Sequence, residues 1–126
     1  MAHLTERFEC SDFEVVHDDI ETVTLDERFD VVFSSLTLKH LYPTFEKALR
    51  NVERHLNRGA TVIFDVPEGK FASFSAVDGV SYVRRYTRTE LEEEVLPGIP
   101  LELVAFDEVV HAPGQERLLV VARKPA

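Results

Sequence analysis

The 126-residue sequence has little of what several protein classes require. Its single cysteine, Cys10, cannot form an internal disulfide, which favours a reducing compartment over a secreted scaffold. No tract approaches the roughly 18 consecutive apolar residues of a membrane helix, and the first residues lack the apolar segment of a signal peptide. Only 14 Lys and Arg stand against 23 Asp and Glu, and a net charge of -9 disfavours nucleic acid and anionic lipid. We therefore expect a cytoplasmic protein that binds neither nucleic acid nor membrane.

Glycine is also scarce, and its placement excludes a phosphate-cradling loop. The five glycines are widely separated, and no G-x-G pair occurs. Such a pair forms the tight turn that lets backbone amides approach a nucleotide phosphate after the first strand of a wound α/β domain. We therefore expect no dinucleotide-type phosphate loop within this sequence.

Hydrophobic patterning predicts a single α/β domain over residues 1–126. Residues 13–18 form a short β-branched run that ends in polar residues, as a strand does at its carboxyl end. Phe29–Phe33 carries apolar residues on both faces, which is typical of a central parallel strand covered by helices. From Phe45 to Leu56 the apolar spacing indicates a helix with Thr44 as N-cap, and Gly59 is expected to cap its C-terminus. Thr61–Phe64 then reads as a parallel strand, which completes a crossover unit.

The second half of the sequence predicts a loop, a helix and a hairpin. Residues 67–86 show neither helical nor strand periodicity and indicate a long connecting loop. Thr87 and Glu90 have capping-box spacing and open a short helix that Pro97 ends. Residues 101–110 and 117–123 flank a Pro-Gly turn signal and indicate an antiparallel hairpin. The expected organisation is a core at 13–66, a connecting loop at 67–86, and a helix plus hairpin at 87–126.

This order of elements resembles the class I S-adenosylmethionine-dependent methyltransferases. The motifs that carry the resemblance are Val16-His17-Asp18-Asp19-Ile20-Glu21, Arg28 to Leu36, Leu38-Lys39-His40-Leu41, a helix, and Arg58 to Phe64. The resemblance implies a partial Rossmann-like sheet in which parallel strands are closed by a C-terminal antiparallel hairpin, with helices on the faces. It covers the C-terminal two-thirds of such a domain, because the glycine-rich half that holds the methionine end of the cofactor has no counterpart here.

The resemblance also assigns roles to residues at the carboxyl ends of two strands. Asp19 matches the acid that accepts from the adenine amino group, and the backbone amide of Ile20 matches the group that reaches the ring. His40 matches a histidine seen just beyond the fourth strand and is a candidate general base. The segment that lines the sulfonium region of the cofactor corresponds to Ser34, Ser35 and Leu36.

Simpler interpretations of the same residues remain open. Asp19 also suits a loop carboxylate that caps its own turn, and His40 also suits a histidine that packs among leucines. A metal site at His17-Asp18-Asp19 is disfavoured, because successive strand residues point to opposite faces. We expect no bound metal.

The predicted loop ends in a cationic and aromatic segment. Tyr82, Arg84, Arg85 and Tyr86 fall where a methyltransferase of this family places part of its acceptor pocket, and paired arginines suit a carboxylate-bearing acceptor. The equal alternative is that the arginines neutralise Glu90 and its neighbours at the next helix.

The absent half has consequences for function. In the intact family two further strands lie between the strand matching 13–18 and that matching 29–34, a gap of about 14 Å at about 4.8 Å per strand. An empty gap exposes an apolar edge along Val31 and Phe33. The resemblance implies an S-adenosyl-L-methionine-dependent methyltransferase acting on a small molecule, inactive or weakly active alone, which binds its cofactor only if the missing half is supplied. Self-association or a complementing N-terminal polypeptide would fill the gap. The alternative is a non-catalytic interaction or assembly module that uses the open sheet edge.

Overall fold

The computed structural model describes residues 16–35, 37–41, 44–69, 73–74, 82–110, 113 and 116–126. None of the helices in these ranges is long and apolar enough to cross a bilayer. Residues 13–15 of the first predicted strand lie outside the described residues, and 16–18 have irregular backbone. The elements in chain order are β1 (Phe29–Ser34), a 3-10 turn (Leu38–His40), α1 (Glu46–Arg54), β2 (Leu56–Pro67), β3 (Ser73–Phe74), β4 (Tyr82–Val83), α2 (Arg88–Glu90) with a π-helical continuation (Leu91–Val95), β5 (Glu102–Val110) and β6 (Glu116–Arg123).

Four strands form one sheet in the order β1-β2-β6-β5. β1 and β2 are parallel, in register from Val31 opposite Thr61 to Ser34 opposite Phe64, and α1 connects them as the predicted crossover. β6 is antiparallel to both of its neighbours. The expected α/β class, with parallel strands closed by an antiparallel hairpin, is therefore confirmed.

The core lies on one face of this sheet. Every second residue of β2, from Val62 to Val66, is at most 2% exposed, and so are the facing residues of β6. Phe45 at the start of α1 packs edge-on against Phe64, with ring centroids 5.2 Å apart, and against Tyr86 at 5.0 Å. The helical residues Leu49 and Leu91 join the same cluster, so the described helices cover one face only.

The opposite face is open at β1. Val31 is 63% exposed and Phe33 is 67% exposed, and their register with Thr61 and Ile63 places them on the face away from the core. β1 is also the edge strand of the described sheet, so the expectation of a central strand is wrong for the described residues. Its apolar residues on both faces are nevertheless typical of a strand that is covered on both faces. Because Val31 and Phe33 are exposed instead, the predicted open apolar surface is present.

The C-terminus of α1 is capped by a lysine rather than by glycine. The helix ends at Arg54, and the Lys124 ammonium donates to the carbonyls of Glu53 and Leu56 at 3.2 and 3.1 Å, which suits a cation at a helix C-terminus. Gly59 lies within β2 instead, where the register against β1 shifts. The predicted cap is therefore wrong in place, although Gly59 does adopt a left-handed φ of 83°.

The segment at 67–95 is more ordered than its sequence suggests. Within the predicted loop, β3 and β4 form a two-residue antiparallel ladder. The Thr87 hydroxyl accepts from the Glu90 amide at 3.1 Å, as the capping box predicts. The Glu90 carboxylate does not complete the box, because it binds Arg84.

Candidate functional site

The candidate donor site lies where β1 ends and the chain segment at 16–25 passes over it. Asp19 opens a tight turn here, in which its carbonyl accepts from the amides of Thr22 and Val23 at 3.1 and 2.7 Å. One carboxylate oxygen, Oδ1, accepts from the Glu21 amide at 2.9 Å. The capping role that sequence reasoning left open for Asp19 is thus present. Its other oxygen, Oδ2, makes no hydrogen bond to any described residue, and the side chain is exposed.

The peptide between Asp19 and Ile20 presents its N–H away from the turn. In a trans peptide the N–H points opposite to the C=O, and the Asp19 carbonyl is turned inward toward Thr22 and Val23. Within the described ranges the Ile20 amide has no acceptor. The Asp19 carboxylate oxygen and the Ile20 amide proton are therefore both available to a ligand. Such a pair suits a ligand that carries a hydrogen-bond donor next to an acceptor.

Ile20 and Ser34 line one cavity of about 190 Å³. The carboxyl end of β1 contributes Val32 and Phe33 as well as Ser34, Thr37 follows the strand, and α1 supplies an apolar wall. The structure thus brings together two of the residues that the resemblance assigned to the cofactor, from segments 14 positions apart in the sequence. Leu36 lies outside the described residues.

Ser35 belongs to a polar group on the open face that sequence reasoning missed. Its hydroxyl donates to Asp65 Oδ2 at 3.4 Å, and Arg117 binds the same carboxylate through two nitrogens at 3.3 and 3.1 Å. Arg117 and Asp65 are only 12% and 17% exposed, so this is a largely desolvated pair beside the carboxyl end of β1. The available signal was an acid directly after the buried run Thr61–Phe64.

Sequence reasoning assigned no role to Asn51 or His55. Both side chains are buried on α1 and bond to the backbone of the segment at 20–25. His55 is therefore structural, and the packing of that segment depends on it. The position of Asn51 fits the helical spacing of the apolar stripe, and this was the only sequence signal that its side chain would be buried.

The cationic loop segment is largely built into the fold. Arg84 forms a partly buried ion pair with Glu90, and its guanidinium lies 4.6 Å from the centroid of the Tyr86 ring. Tyr86 is fully buried in the core. The neutralising alternative is thus observed for Arg84. Arg85 is half-buried, and only the backbone of Tyr82 is described; their role toward an acceptor stays a prediction.

His40 ends the 3-10 turn that follows β1 and is exposed. Its neighbour Leu38 is buried, so the turn is anchored through the leucine while the histidine faces outward. His40 is not among the residues that line the cavity of Ile20 and Ser34, and its catalytic role stays a prediction.

Acidic side chains meet where β2 ends beside the hairpin of β5 and β6. Burial raises the pKa of Glu68 above its ordinary value of 4.5, and the charges of Glu108 and Glu116 raise it further. A raised pKa means that the folded state favours the protonated carboxyl, so folding stability falls as the pH rises through the range just above 4.5.

We therefore expect Glu68→Gln to raise the midpoint of thermal unfolding at pH 7, because it removes an unfavourable charge. The gain should vanish well below pH 4.5, where Glu68 is protonated in both the folded and unfolded states. Glu94→Gln, at an exposed helical position, is the matched control and should change neither midpoint. An equal gain for Glu68→Gln at both pH values would contradict the electrostatic explanation.

Comparison with solved structures places this fold among methyltransferases. A 1,6-didemethyltoxoflavin-N1-methyltransferase from Burkholderia thailandensis, solved with 1,6-didemethyltoxoflavin and S-adenosylhomocysteine, superposes with a TM-score of 0.79 at 22% identity over 99% of this chain and 56% of its own. An S-adenosylmethionine-dependent methyltransferase from Clostridium acetobutylicum gives 0.73 at 15% identity over 99% of this chain and 70% of its own. The N-methyltransferase NodS from Bradyrhizobium japonicum, in complex with S-adenosylhomocysteine, gives 0.68 at 18% identity over 99% and 61%.

These likenesses concern the fold, and they cover only part of each solved enzyme. The chain spans only 56% of the Burkholderia enzyme and 61% of NodS, although almost all of it is matched. No curated protein sequence matches it significantly. A family model described as a methyltransferase domain matches residues 1–64, just over half of the 126 residues. The chain therefore belongs to the methyltransferase domain family.

Proposed function

We propose that this chain takes part in S-adenosylmethionine-dependent methyl transfer to a small-molecule acceptor and supplies the adenosine-side wall of the donor site. The observation that carries the proposal is the pair of outward groups at Asp19 and Ile20, beside the cavity that Ile20 shares with Ser34. Two of the solved methyltransferases of similar fold hold S-adenosylhomocysteine, which supports a donor of this class.

The exposed groups fit an adenine ring. Its exocyclic amino group would donate to Asp19 Oδ2 in a charge-assisted bond, and a ring nitrogen would accept from the Ile20 amide. The apolar side chains around the cavity would contact the face of the ring. A carboxylate and a backbone amide one residue apart discriminate this edge from that of guanine, which presents an acceptor where adenine presents its amino donor.

The donor supplies an activated methyl group on a sulfonium, so this chain's residues have to hold and align rather than react. The turn at 19–23 would fix the nucleoside, and the carboxyl end of β1 would bound it on the second side. Alignment of donor and acceptor is the main requirement for such a displacement. His40, in the turn that follows β1, would accept a proton from an acceptor that needs deprotonation.

A second wall has to come from outside this sequence. The sequence contains no G-x-G turn, and the solved relatives named above extend well beyond the part that it matches. The proposal therefore includes low activity for this chain alone, with full binding restored by a polypeptide that carries the glycine-rich half. The exposed Val31 and Phe33 support this, because they offer an apolar surface to such a partner.

Calorimetric titration with S-adenosylhomocysteine tests the proposed donor site, for the chain alone and with a complementing N-terminal polypeptide. Asp19→Asn keeps an oxygen for the Glu21 amide but loses the charge, so affinity should fall about tenfold. Asp26→Asn, an exposed acid on the same connecting segment, is the control and should bind as the wild type does. Absence of heat in every mixture would overturn the catalytic proposal.

The second candidate function is a non-catalytic assembly module that uses the open face at β1. The exposure of Val31 and Phe33 favours it, since a contiguous apolar patch on a sheet edge promotes pairing with another chain. Light scattering at high concentration distinguishes this function: an assembly module should form a defined oligomer. A strictly monomeric species would contradict it.

A further inference from the structure

Two polar side chains are buried along α1 and its C-cap, Asn51 in the helix at 6% exposure and His55 at the C-cap at 9%. They lie one turn apart, so they project from the same side of the helix. A buried polar group is costly unless it is hydrogen-bonded, and each of these is bonded to backbone far away in the sequence. The buried face of α1 is therefore specialised at these two positions for contact with another segment.

Asn51 binds two carbonyls of the segment at 20–25. Its Nδ2 donates to the Ile20 carbonyl at 2.9 Å and to the Val23 carbonyl at 2.8 Å, which uses both of its hydrogens. Together with the bonds to the Asp19 carbonyl, this fixes the peptide planes on both sides of Ile20. Asn51 thus anchors the turn from the helix at the Ile20 and Val23 carbonyls, while the bonds of the Asp19 carbonyl within the turn set the direction of the Ile20 N–H.

His55 holds the far end of the same segment. Its Nδ1 lies 2.8 Å from the Asn51 carbonyl, which can only accept, so Nδ1 carries the proton. Nε2 is then the acceptor for the Leu25 amide at 3.0 Å. The His55 carbonyl also accepts from the Phe29 amide at the start of β1, at 2.8 Å. The neutral Nδ1–H tautomer is thus required by the bonds on both sides of the ring.

We propose that Asn51 and His55 are positioning residues for the nucleoside-binding turn: α1 clamps the segment at 20–25 so that the Ile20 amide and the Asp19 carboxylate face the donor crevice. This inference rests on the proposed function for its ligand. It goes beyond that function because it assigns the orientation of the turn to two side chains that touch no substrate. The segment has no strand or helix of its own to orient it in the described residues.

Amide hydrogen exchange and adenosine binding, followed by NMR on the full chain, test the clamp. His55→Phe keeps a ring but removes the acceptor, so the Leu25 amide should exchange about tenfold faster and adenosine should bind about tenfold more weakly. His55→Gln, which supplies an acceptor oxygen, should recover part of both. Long-range nitrogen correlation of the wild-type imidazole should show a protonated Nδ1 and an unprotonated Nε2.

Ala48→Gly is the matched control, because it weakens α1 at a buried position without a bond to the segment at 20–25. It should lower the stability of the fold. The exchange rate of the Leu25 amide, corrected for global unfolding, and the affinity for adenosine should both stay unchanged. If His55→Phe and Asn51→Leu both bind adenosine as tightly as the wild type does, the positioning role is overturned and the proposed function is left intact. If wild type binds no adenosine even with a complementing N-terminal polypeptide, the proposed function fails, and unchanged Leu25 exchange in His55→Phe would overturn the clamp separately.

Discussion

Replacing Phe45 with alanine is expected to remove a large part of the free energy of unfolding of this chain. The ring is completely buried and packs edge-on against both Phe64 and Tyr86, so it joins α1 to the sheet and to the segment before α2. Truncating a buried phenylalanine costs about 3–5 kcal/mol, because the lost contacts and the cavity both count. That is a large part of the roughly 5–15 kcal/mol by which a domain is stable.

Urea unfolding followed by circular dichroism measures this effect, with Phe33→Ala as the matched control. Phe33 is the same residue type but 67% exposed, so its replacement should change the free energy of unfolding by less than about 0.5 kcal/mol. Equal losses for the two variants would show that Phe33 is covered in solution and would contradict the one-sided core.

The chain alone is expected to transfer methyl groups at least about a hundredfold more slowly than the chain with a complementing glycine-rich half. A misplacement of about 1 Å in the reacting geometry can cost about a hundredfold, and the loss of a whole binding wall should cost no less. Transfer from isotopically labelled S-adenosylmethionine to a panel of small acceptors measures the ratio.

The same assay locates the surface on which the partner acts. Val31→Glu places a charge on the open face beside β2. It should abolish the increase in methyl-transfer rate that the partner gives, while the fold persists. Val104→Glu, at a comparably exposed position on β5, should leave the gain unchanged. Rapid transfer by the chain alone would contradict the need for a second wall.

Local signals in the sequence predicted most of the sheet correctly. The apolar runs at Phe29–Phe33 and Thr61–Phe64 became parallel neighbours because a helix of crossover length separates them. The capping oxygen of Thr87 was visible for the same reason, since its partner Glu90 is three residues away. Features defined by short sequence separations or by simple periodicity were therefore accessible.

What the sequence did not reveal depends on contacts over long separations. Gly59 suited a helix cap, but Lys124, the residue after the last strand, caps α1 and leaves Gly59 to a bulge in β2. For Arg84 two roles were predicted as equal, and only the structure shows its partly buried ion pair with Glu90, while its role toward an acceptor stays a prediction. In both cases a residue type permitted several roles, and the sequence alone did not show its tertiary partner.

The candidate site was predictable only where a sequence pattern marks its residues. The family pattern located Asp19, Ile20 and Ser34, and the structure brings Ile20 and Ser34 to one cavity. The clamp from Asn51 and His55 was not predictable, because it joins side chains to backbone groups 28 to 31 residues earlier, and backbone acceptors have no sequence signature.

Chemical-shift mapping of the amide spectrum during titration with S-adenosylhomocysteine tests most directly whether this chain carries the adenosine-side wall. The account predicts that the largest shifts occur at Ile20 and its neighbours and at the carboxyl end of β1, with the Ile20 proton moving downfield as it gains an acceptor. Shifts confined to the hairpin of β5 and β6, or a spectrum that does not change with or without a complementing polypeptide, would contradict it.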